Sequence, residues 1–377
     1  AVSDDGQGDR FEPWRRRRRD VAGSIPSLLV WSGPHREGLA GRVDVRVVQS
    51  GFDETMMLLL AALFVAAALG LRLFLAVAPS LGLVDHPNAR SLHAVPTAVG
   101  GGAVPMALLS LVIVLLSQLP YAGWIGFVMM SLVAIGLLDD WRGIPSGIRL
   151  LCYVGASMVL AASLPLVQLG GAVGFFALSL AIAWCINLVN FMDGIDGLVV
   201  VQALCIAVGV GIIGAVRLTS ADTGPLVLLC AALVACLAPL LWFNWPPAKL
   251  FMGDAGAVPL GFFIALLGLL AVMLDTVMGW VWLVLMMPFL IDTSVTLCLR
   301  VAAGHAPHVA HRDHAYQRLA LRAGNPLPVT LGLLALQAVW QFPLAVTVST
   351  ETLFPPLVVL LSTIPALLLV VCARRKA

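Results

Sequence analysis

Five acidic residues of this chain stand at the ends of long apolar segments, in three groups. They are Asp139 with Asp140, Asp193 with Asp196, and Asp254. A charged side chain near a bilayer costs several kcal/mol unless it is paired, hydrated or bound to a ligand, so carboxylates kept there are functional candidates. If they meet on one face of the membrane, they predict a site for Mg²⁺ and a pyrophosphate.

The composition is that of an integral membrane protein. The chain has 377 residues, of which 60% are hydrophobic and 11% charged, and its mean hydropathy is +0.99. Soluble domains carry roughly 25% charged residues. The net charge of +2 gives no indication of a nucleic-acid partner. The seven cysteines fall in or beside apolar runs without a CxxC spacing, which favours small core residues over disulfides or a metal site.

Eleven apolar stretches predict an all-α, polytopic membrane fold. Each is close to the ~20 residues that a helix needs to cross a bilayer, and none shows the alternation of a membrane barrel. The predicted spans are 56–78, 103–119, 123–138, 150–167, 172–189, 198–216, 225–243, 257–274, 279–299, 328–347 and 353–372.

Residues 1–55 differ from the rest of the chain. Arg15 to Arg19 form one run, several Pro and Gly surround it, and hydrophobic periodicity is weak. We expect a disordered or spurious N-terminal extension, with a basic membrane-surface patch as the alternative. Met56 and Met57 directly precede the first apolar run. We therefore expect a single integral-membrane domain over 56–377.

The basic residues predict the orientation, because Lys and Arg concentrate in cytoplasmic loops. The loops after the odd-numbered spans, with the C-terminal tail, hold eleven of them, whereas the opposite loops hold only Arg217. This places the C-terminus and the loops that carry the aspartates in the cytoplasm. Most of the acidic residues of the membrane domain then share the cytoplasmic face.

Asp139 and Asp140 end the third predicted span. Adjacent helical residues point about 100° apart, so one carboxylate can face a metal while the other faces a basic group or a second phosphate. Two aspartates at a helix C-terminus oppose its macrodipole and are poor caps for it. A catalytic role is therefore favoured over a solvated helix end.

Two further segments carry the strongest chemical signals. In NLVNFMDGIDGL, side chains at every third position can line one side of a helix end, and Gly194 lets a ligand approach the backbone. The candidates there are Asn187, Asn190, Asp193, Gly194 and Asp196. In FNWPPAKLFMGDAG, Asn244, Lys249 and Asp254 are types that bind magnesium or phosphate.

Two loops rich in His and Arg suggest anion binding. Histidines recur at every third residue from His305 to His314, among several arginines. Zinc is the alternative, but a basic phosphate-binding loop explains the arginines better. The first cytoplasmic loop carries Arg90 and His93 before the glycines 100–102, which open the second helix, and a helix N-terminus can hold an anion.

Together these motifs resemble the polyprenyl-phosphate N-acetylhexosamine-1-phosphate transferase superfamily. The resemblance covers about 56–325 and rests on DHPNARSLH…GGG, LLDD, NLVNFMDGIDGL, FNWPPAKLFMGDAG and HRDHAYQRL, in that order. HRDHAYQ looks most like the subgroup that initiates O-antigen in Gram-negative bacteria. Two positions depart from the family pattern, Val99 and Gly143, where many relatives have charged residues. Arg142 or Lys249 can substitute for the missing basic groups.

The resemblance implies that a UDP-N-acetylhexosamine donates its sugar 1-phosphate to undecaprenyl phosphate with release of UMP. It implies Mg²⁺, with Mn²⁺ as an alternative, on Asp254 and Asn190, and a reaction centre at Asp139 and Asp140. The remaining candidates would bind substrate: Asn187, Asp193, Gly194, Asp196, Asn244, Lys249, Arg90, His93, His311, Arg312 and His314. Related enzymes suggest a homodimer in the bacterial inner membrane.

Two other classes would also keep carboxylates in a helical bundle. An ion-coupled transporter would place them near mid-membrane within inverted repeats, which the sequence does not show. A phosphatidyltransferase of the CDP-alcohol type has a different aspartate spacing. For the transferase, we favour direct attack by the acceptor phosphate, with Asp139 or Asp140 orienting it, over an aspartyl-phosphate intermediate.

Overall fold

The computed structural model describes residues 54–87, 95–165, 170–218, 220–306 and 311–375. All of them belong to one compact unit, Asp44–Ala377. The extension that we expect over 1–55 lies outside the described residues, except for Glu54 and Thr55, which begin the first helix.

The described residues form thirteen α-helices and one pair of very short strands. A π-helical turn, Gln337–Gln341, joins α11 to α12, and the antiparallel strands are β1 Val84–Asp85 and β2 Thr97–Ala98. The helices are α1 Glu54–Val77, α2 Ala103–Leu116, α3 Ala122–Arg142, α4 Ser146–Ala162, α5 Gly171–Met192, α6 Leu198–Arg217, α7 Ser220–Asn244, α8 Asp254–Leu274, α9 Thr276–Ala302, α10 Ala315–Ala323, α11 Leu327–Leu336, α12 Phe342–Ser349 and α13 Pro355–Arg374.

The prediction of an all-α, polytopic membrane fold is confirmed. Each predicted span overlaps a helix, and within the described ranges nine helical segments are long and apolar enough to cross a membrane. Two predicted spans, 103–119 and 150–167, form the shorter apolar helices α2 and α4, of 14 and 17 residues. Eleven crossings therefore remain a prediction.

Helix α8 is the central helix of the bundle. Most of its residues from Ala255 to Ala271 are buried, and it packs against α3 and α5. Glycines allow this close approach, because a Cβ at Gly136 of α3 would lie 2.4 Å from the Asp254 carbonyl oxygen, and one at Gly261 would lie 2.7 Å from the Cα of Ile186 in α5. Without a hydrophobic force between helices in lipid, such small-residue contacts supply the packing energy.

A polar cluster ties three helical segments together inside the apolar bundle. Gln202 of α6 and Gln337 of the π-helical turn both donate to the carbonyl of Leu285 in α9, at 2.9 and 2.8 Å. Gln337 also donates to the side-chain oxygen of Gln202 at 2.7 Å. Buried amides without partners are costly in a membrane interior, so these bonds fix α6, α9 and the turn relative to one another.

Arg217 joins three segments at one end of the bundle. Its guanidinium contacts Asp275 at 2.5 Å, the Ser349 carbonyl at 2.5 Å and Glu351 at 2.7 Å. Because Arg217 ends α6, this cluster lies at the opposite end from the aspartates that we single out as functional.

Candidate functional site

A cavity of about 1000 Å³ lies at the end of the bundle where α3, α5 and α7 end and where α8 and α11 begin. The predicted site residues that line it are Asp140, Asp193, Gly194, Asp196, Asn244, Asp254, His311 and Arg312. The structure thus brings together residues from four separate segments of the chain. Their chemical roles stay predictions.

The other predicted site residues do not line this cavity or lie outside the described residues. Among the described residues, the cavity wall does not include Asp139, Asn187, Asn190, Lys249 or His314. Arg90 and His93 lie outside the described residues. Two residues that sequence reasoning did not select, Asp85 of β1 and Gln317 of α10, do line the cavity.

Asp140 stabilises the start of a neighbouring helix. Its Oδ1 accepts from the backbone N–H of Asp254 at 2.9 Å, and its Oδ2 accepts from Ala255 at 3.1 Å. These are the free N–H groups at the N-terminus of α8, where a carboxylate is favoured. Gly253 makes the contact possible, since its φ is 70° and a Cβ there would lie 2.4 Å from Oδ2. Asp140 is unfavourable at the C-terminus of its own helix, α3, but it caps the N-terminus of α8.

Asp139 is held by an arginine that sequence reasoning missed. Its Oδ1 accepts from the Ile144 N–H at 2.5 Å, and its Oδ2 lies 2.5 Å from Nη1 of Arg149. The same Nη1 lies 2.8 Å from Oδ2 of Asp254. The available signal was a basic residue in the first turn of the helix after the paired aspartates.

The two basic residues that we considered as substitutes have other surroundings. The guanidinium of Arg142 packs over the Trp141 ring at 4.0 Å, and Lys249 is exposed. Neither makes the contact with Asp139 and Asp254 that Arg149 makes. Arg149 is therefore the basic group beside these carboxylates.

The NLVNFMDGIDGL segment is divided between a helix and a loop. Asn187 and Asn190 lie in the last two turns of α5, which ends at Met192, and Asp193 follows it. Asn187 donates to the Ala183 carbonyl of its own helix at 2.9 Å, whereas the buried Nδ2 of Asn190 has no hydrogen-bond partner. The expected single face of four side chains is therefore broken after Asn190.

Asp196 and Asn244 join two loops of the cavity wall. Asp196 Oδ2 accepts from the Ala248 N–H at 2.9 Å. Asn244 Oδ1 accepts from the Gly197 N–H at 2.9 Å, and its Nδ2 donates to the Leu250 carbonyl at 3.0 Å. Because both ends of the buried Asn244 amide are engaged, this residue positions the loops rather than offering a free group to a nucleotide.

The pKa of Asp193 is raised by burial and by neighbouring carboxylates. Burial, and then the carboxylates of Asp140 and Asp196, raise this pKa to about 7. Loss of hydration and like charges both disfavour the ionised form. Negative charge at Asp193 is therefore disfavoured unless a proton or a cation compensates it.

The HRDHAYQ loop has a neutral histidine and a paired acid. Burial, with His314 and Arg300 nearby, lowers the pKa of His311 to about 4, so its ring is neutral at pH 7. Burial opposes ionisation of Asp313, but ion pairs with Arg318 and Arg300 outweigh it and hold its pKa below the usual value. The His311 ring stacks on His314 at 5.0 Å. The loop is thus prepared to hydrogen-bond a ligand through neutral imidazole.

Asp292 of α9 positions this loop. Its carboxylate accepts from the N–H groups of Ala315 at 2.9 Å and Tyr316 at 3.1 Å, which begin α10. The hydroxyl of Tyr316 donates to the Phe191 carbonyl at the end of α5, at 2.9 Å. His314, directly before α10, is buried under these contacts and has a supporting position.

The glycines 100–102 pack against the loop that carries Asp254. Gly101 and Gly102 donate to the carbonyls of Phe251 and Met252 at 3.0 and 2.9 Å. A Cβ at Gly102 would lie 2.3 Å from the Cα of Gly256. The suggestion that this run holds an anion is therefore wrong for these two N–H groups, because they already have partners.

The donor set fits a magnesium ion that binds with substrate. The carboxylates of Asp140, Asp193 and Asp254 line one cavity, and oxygen is the ligand that Mg²⁺ prefers. In the part of the chain that the structure describes, no group of three or more His, Cys, Asp or Glu side chains forms a ready metal site. Mg²⁺ commonly takes one or two protein carboxylates, with water and substrate phosphates completing its shell.

This fold and this cavity define an integral membrane protein with a polar site at the helix ends. Residues 122–274 match the model of glycosyl transferase family 4. The undecaprenyl-phosphate alpha-N-acetylglucosaminyl 1-phosphate transferase of Escherichia coli (strain K12) is 30% identical over 275 residues, which cover 66% of this chain and 71% of that protein.

Two further comparisons agree. The probable undecaprenyl-phosphate N-acetylglucosaminyl 1-phosphate transferase of Bacillus subtilis (strain 168) is 24% identical over 64% of this chain and 71% of its own length. The phospho-N-acetylmuramoyl-pentapeptide-transferase of Neisseria meningitidis serogroup C is 31% identical over 41% of this chain and 52% of its own length. The chain belongs to glycosyl transferase family 4, the superfamily that its motifs resemble.

Proposed function

We propose that this protein transfers N-acetylhexosamine 1-phosphate from a UDP-sugar to undecaprenyl phosphate and releases UMP, as the first step of O-antigen or related envelope polysaccharide synthesis. The observation that carries the proposal is the single cavity lined by Asp140, Asp193, Asp254, His311 and Arg312. It offers acidic groups for a cation and basic or neutral donors for phosphates. The relatives' names supply the donor and acceptor classes.

The acceptor needs little activation. The second pKa of a phosphate monoester is about 6, so the acceptor is largely a dianion at neutral pH. One of its oxygens attacks the sugar-bearing phosphorus of the donor, and the bond from that phosphorus to the UMP oxygen breaks as the new bond forms. UMP leaves with the bridging oxygen, and no proton transfer is required. The barrier is the repulsion between anions, so positioning and charge neutralisation carry the catalysis.

Residues of the cavity wall have roles in this scheme, together with Asn190, Asp139 and Arg149, which lie outside the wall. Asp254 and Asn190 are the residues that would hold Mg²⁺, which neutralises charge on the diphosphate when bound. Arg312 and His311 bind the donor phosphates or sugar from the opposite loop. Asp140 fixes Asp254 through the start of α8, and Asp139 fixes Arg149. Asp193 adds a further carboxylate to the wall.

We place the cavity on the cytoplasmic side of a bacterial inner membrane. Arg142 ends α3, Arg149 lies in the first turn of α4, and Lys249 lies between α7 and α8, and positive charge marks the cytoplasmic side. The donor is then taken from the cytoplasm and the acceptor from the membrane.

The first test measures UMP release by the purified protein from UDP-sugar and undecaprenyl phosphate. UDP-linked GlcNAc, QuiNAc and FucNAc are compared as donors, with Mg²⁺ or EDTA. We expect Asp254→Asn to lower the rate at least about 10³-fold, because the amide keeps the shape but cannot neutralise a cation. Glu351→Gln removes an acidic group at the other end of the bundle and should leave the rate unchanged.

Two results would contradict the proposal. Release of UMP by Asp254→Asn at the wild-type rate would refute the role of this carboxylate. No release from any of the three donors by folded wild-type protein would refute the reaction. A phosphorylated aspartate trapped from UDP-sugar without lipid would replace direct attack by the covalent route.

A further inference from the structure

One arginine nitrogen is shared by two carboxylates beside the cavity. Nη1 of Arg149, in the first turn of α4, lies 2.5 Å from Oδ2 of Asp139 and 2.8 Å from Oδ2 of Asp254. Asp139 belongs to the end of α3 and Asp254 to the start of α8. The single positive charge of Arg149 therefore connects three helices and forms ion pairs with two carboxylates.

The two contacts of Arg149 are not equivalent. The Asp139 side chain is 10% exposed and its other oxygen accepts from the Ile144 N–H. The Asp254 side chain is 24% exposed and lines the cavity. A solute that enters the cavity can therefore reach Asp254, whereas Asp139 is held on both oxygens.

The charges around Arg149 do not balance. Asp139, Asp140 and Asp254 follow one another in space through direct contacts, and Arg149 is the basic side chain that touches two of them. The N-terminus of α8 compensates part of the charge on Asp140. Without Arg149, Asp139 and Asp254 would be partly buried carboxylates that no other basic side chain of the described residues contacts, which is strongly unfavourable.

We propose that Arg149 is an exchangeable counter-ion for Asp254. It neutralises this carboxylate while the cavity holds no cation, and it gives up the Asp254 contact, keeping Asp139, when a divalent cation binds there. The reason is that a guanidinium and a divalent cation repel each other and compete for the same carboxylate oxygen. Identifying the cation as Mg²⁺ rests on the proposed function.

This arrangement makes cation binding weaker than the carboxylates alone would give. Every cation that binds Asp254 must first break the contact with Arg149, so the two are coupled through one oxygen. Removing the guanidinium should therefore tighten cation binding, in contrast to most substitutions near a metal site, which weaken it. This direction separates a counter-ion from a residue that merely supports the fold.

The experiment measures Mn²⁺ binding to the purified full-length protein by the paramagnetic resonance signal of free Mn²⁺, after treatment with EDTA and without substrates. We expect Arg149→Gln to lower the apparent dissociation constant at least about fivefold, the lower end of typical coupling between two ligands. In thermal unfolding, the same variant should have a lower midpoint than wild type without cation and a larger rise when Mn²⁺ or Mg²⁺ is added.

Arg142→Gln is the matched control. Arg142 is seven residues away at the end of α3, and its guanidinium packs on Trp141 rather than on the two carboxylates. Its Mn²⁺ affinity and midpoints should equal those of wild type. Arg149→Lys keeps the positive charge but replaces the planar guanidinium by an ammonium group. The Mn²⁺ affinity of this variant should therefore lie between those of wild type and Arg149→Gln. Arg149→Lys serves as the test if Arg149→Gln does not fold.

The outcomes distinguish this inference from the proposed function. Equal or weaker Mn²⁺ binding in Arg149→Gln, or in Arg149→Lys where only that variant folds, would overturn the role of Arg149 and leave the transferase reaction standing. Binding by the variant but not by wild type would support it. No Mn²⁺ binding to either protein would overturn this inference, which requires a cation at Asp254 without substrate, and would leave the transferase reaction standing. If Arg149→Gln binds Mn²⁺ more tightly as expected but the wild-type protein releases no UMP, only the proposed reaction is refuted.

Discussion

Tyr316 and Gly194 contact each other so closely that the packing allows no side chain at position 194. A Cβ there would lie 2.2 Å from the Tyr316 hydroxyl and 3.0 Å from Nε2 of Gln317. The Tyr316 hydroxyl in turn donates to Phe191. The glycine therefore lets the loop after α5 rest on α10, and this contact sets the spacing between Asp193 and the HRDHAYQ loop.

Gly194→Ala should lower kcat/KM for UMP release at least about tenfold, because a displacement of about 1 Å near reacting groups costs up to 10²-fold. Gly155→Ala in α4 is the control, since a Cβ there meets nothing within 4 Å. Adding Tyr316→Phe to Gly194→Ala removes the clashing hydroxyl and should restore part of the activity. A single variant as active as wild type would show that this contact does not position the site.

At the level of single residues, the sequence placed the acidic groups well and their partners poorly. Asp140, Asp193 and Asp254 were selected because charges at the ends of apolar runs are costly, and all three line the cavity. Their contacts were not predictable. Arg149 and Asp254 are 105 residues apart, and nothing in a local pattern shows which residues meet across such a separation.

At two helices near the cavity, the first backbone N–H groups are capped by a carboxylate from another helix. Asp140 of α3 accepts from the first N–H groups of α8, and Asp292 of α9 accepts from those of α10. In both cases the residue before the helix provides no side-chain cap. The start of each helix is therefore fixed to the end of another, which couples helix position to the position of the site.

Asp292→Ala should loosen the start of α10 and with it the HRDHAYQ loop. Loss of a cap costs about 1–2 kcal/mol, so the thermal midpoint should fall. We expect the KM for the UDP-sugar to rise about tenfold with a smaller change in kcat, because the loop that carries His311 and Arg312 loses its support while Asp254 does not. Steady-state kinetics with varied donor measure this split.

Thr296→Val is the control for that variant. Thr296 donates to the same Asp292 carboxylate at 3.2 Å from within α9, one turn after Asp292. Its donor KM should stay within about twofold of wild type. A similar rise in both variants would mean that the effect follows from general loosening of α9 and not from the cap.

Helices were the elements that the sequence predicted best. Long apolar runs with few charges define them without reference to distant contacts, and each predicted span overlaps one. The pairing of β1 with β2, and of Ala98 with Leu250, was not predicted. Such short pairings depend on segments brought together by the bundle, and two-residue strands have no periodicity to detect.

The two ends of the molecule have different tasks. One end holds the cavity, and the other holds the Arg217 cluster, which connects the ends of α6, α8 and α12. Arg217 has acidic partners there and lines no part of the cavity. The Arg217 cluster can therefore be altered without changing a residue of the cavity wall.

Arg217→Gln should lower stability without altering the reaction. It removes hydrogen bonds to two carboxylates and one carbonyl, and bonds to charged groups contribute about 1.5–3 kcal/mol each when partly buried. The thermal midpoint should fall by several degrees, while kcat/KM per folded molecule stays at the wild-type value. Glu351→Gln should have a smaller effect because that pair is more exposed. An unchanged midpoint in Arg217→Gln would show that the cluster is dispensable.

The position of the cavity bears on how the lipid acceptor that we propose would be recognised. Its polar wall is built from helix ends and loops, whereas the long apolar helices carry exposed hydrophobic side chains on their outer sides. A long isoprenoid can therefore leave its tail among the surrounding acyl chains while only its head enters the enzyme. Selection would then fall on the phosphate and the first few carbons, and carriers of different chain length would serve as alternative acceptors.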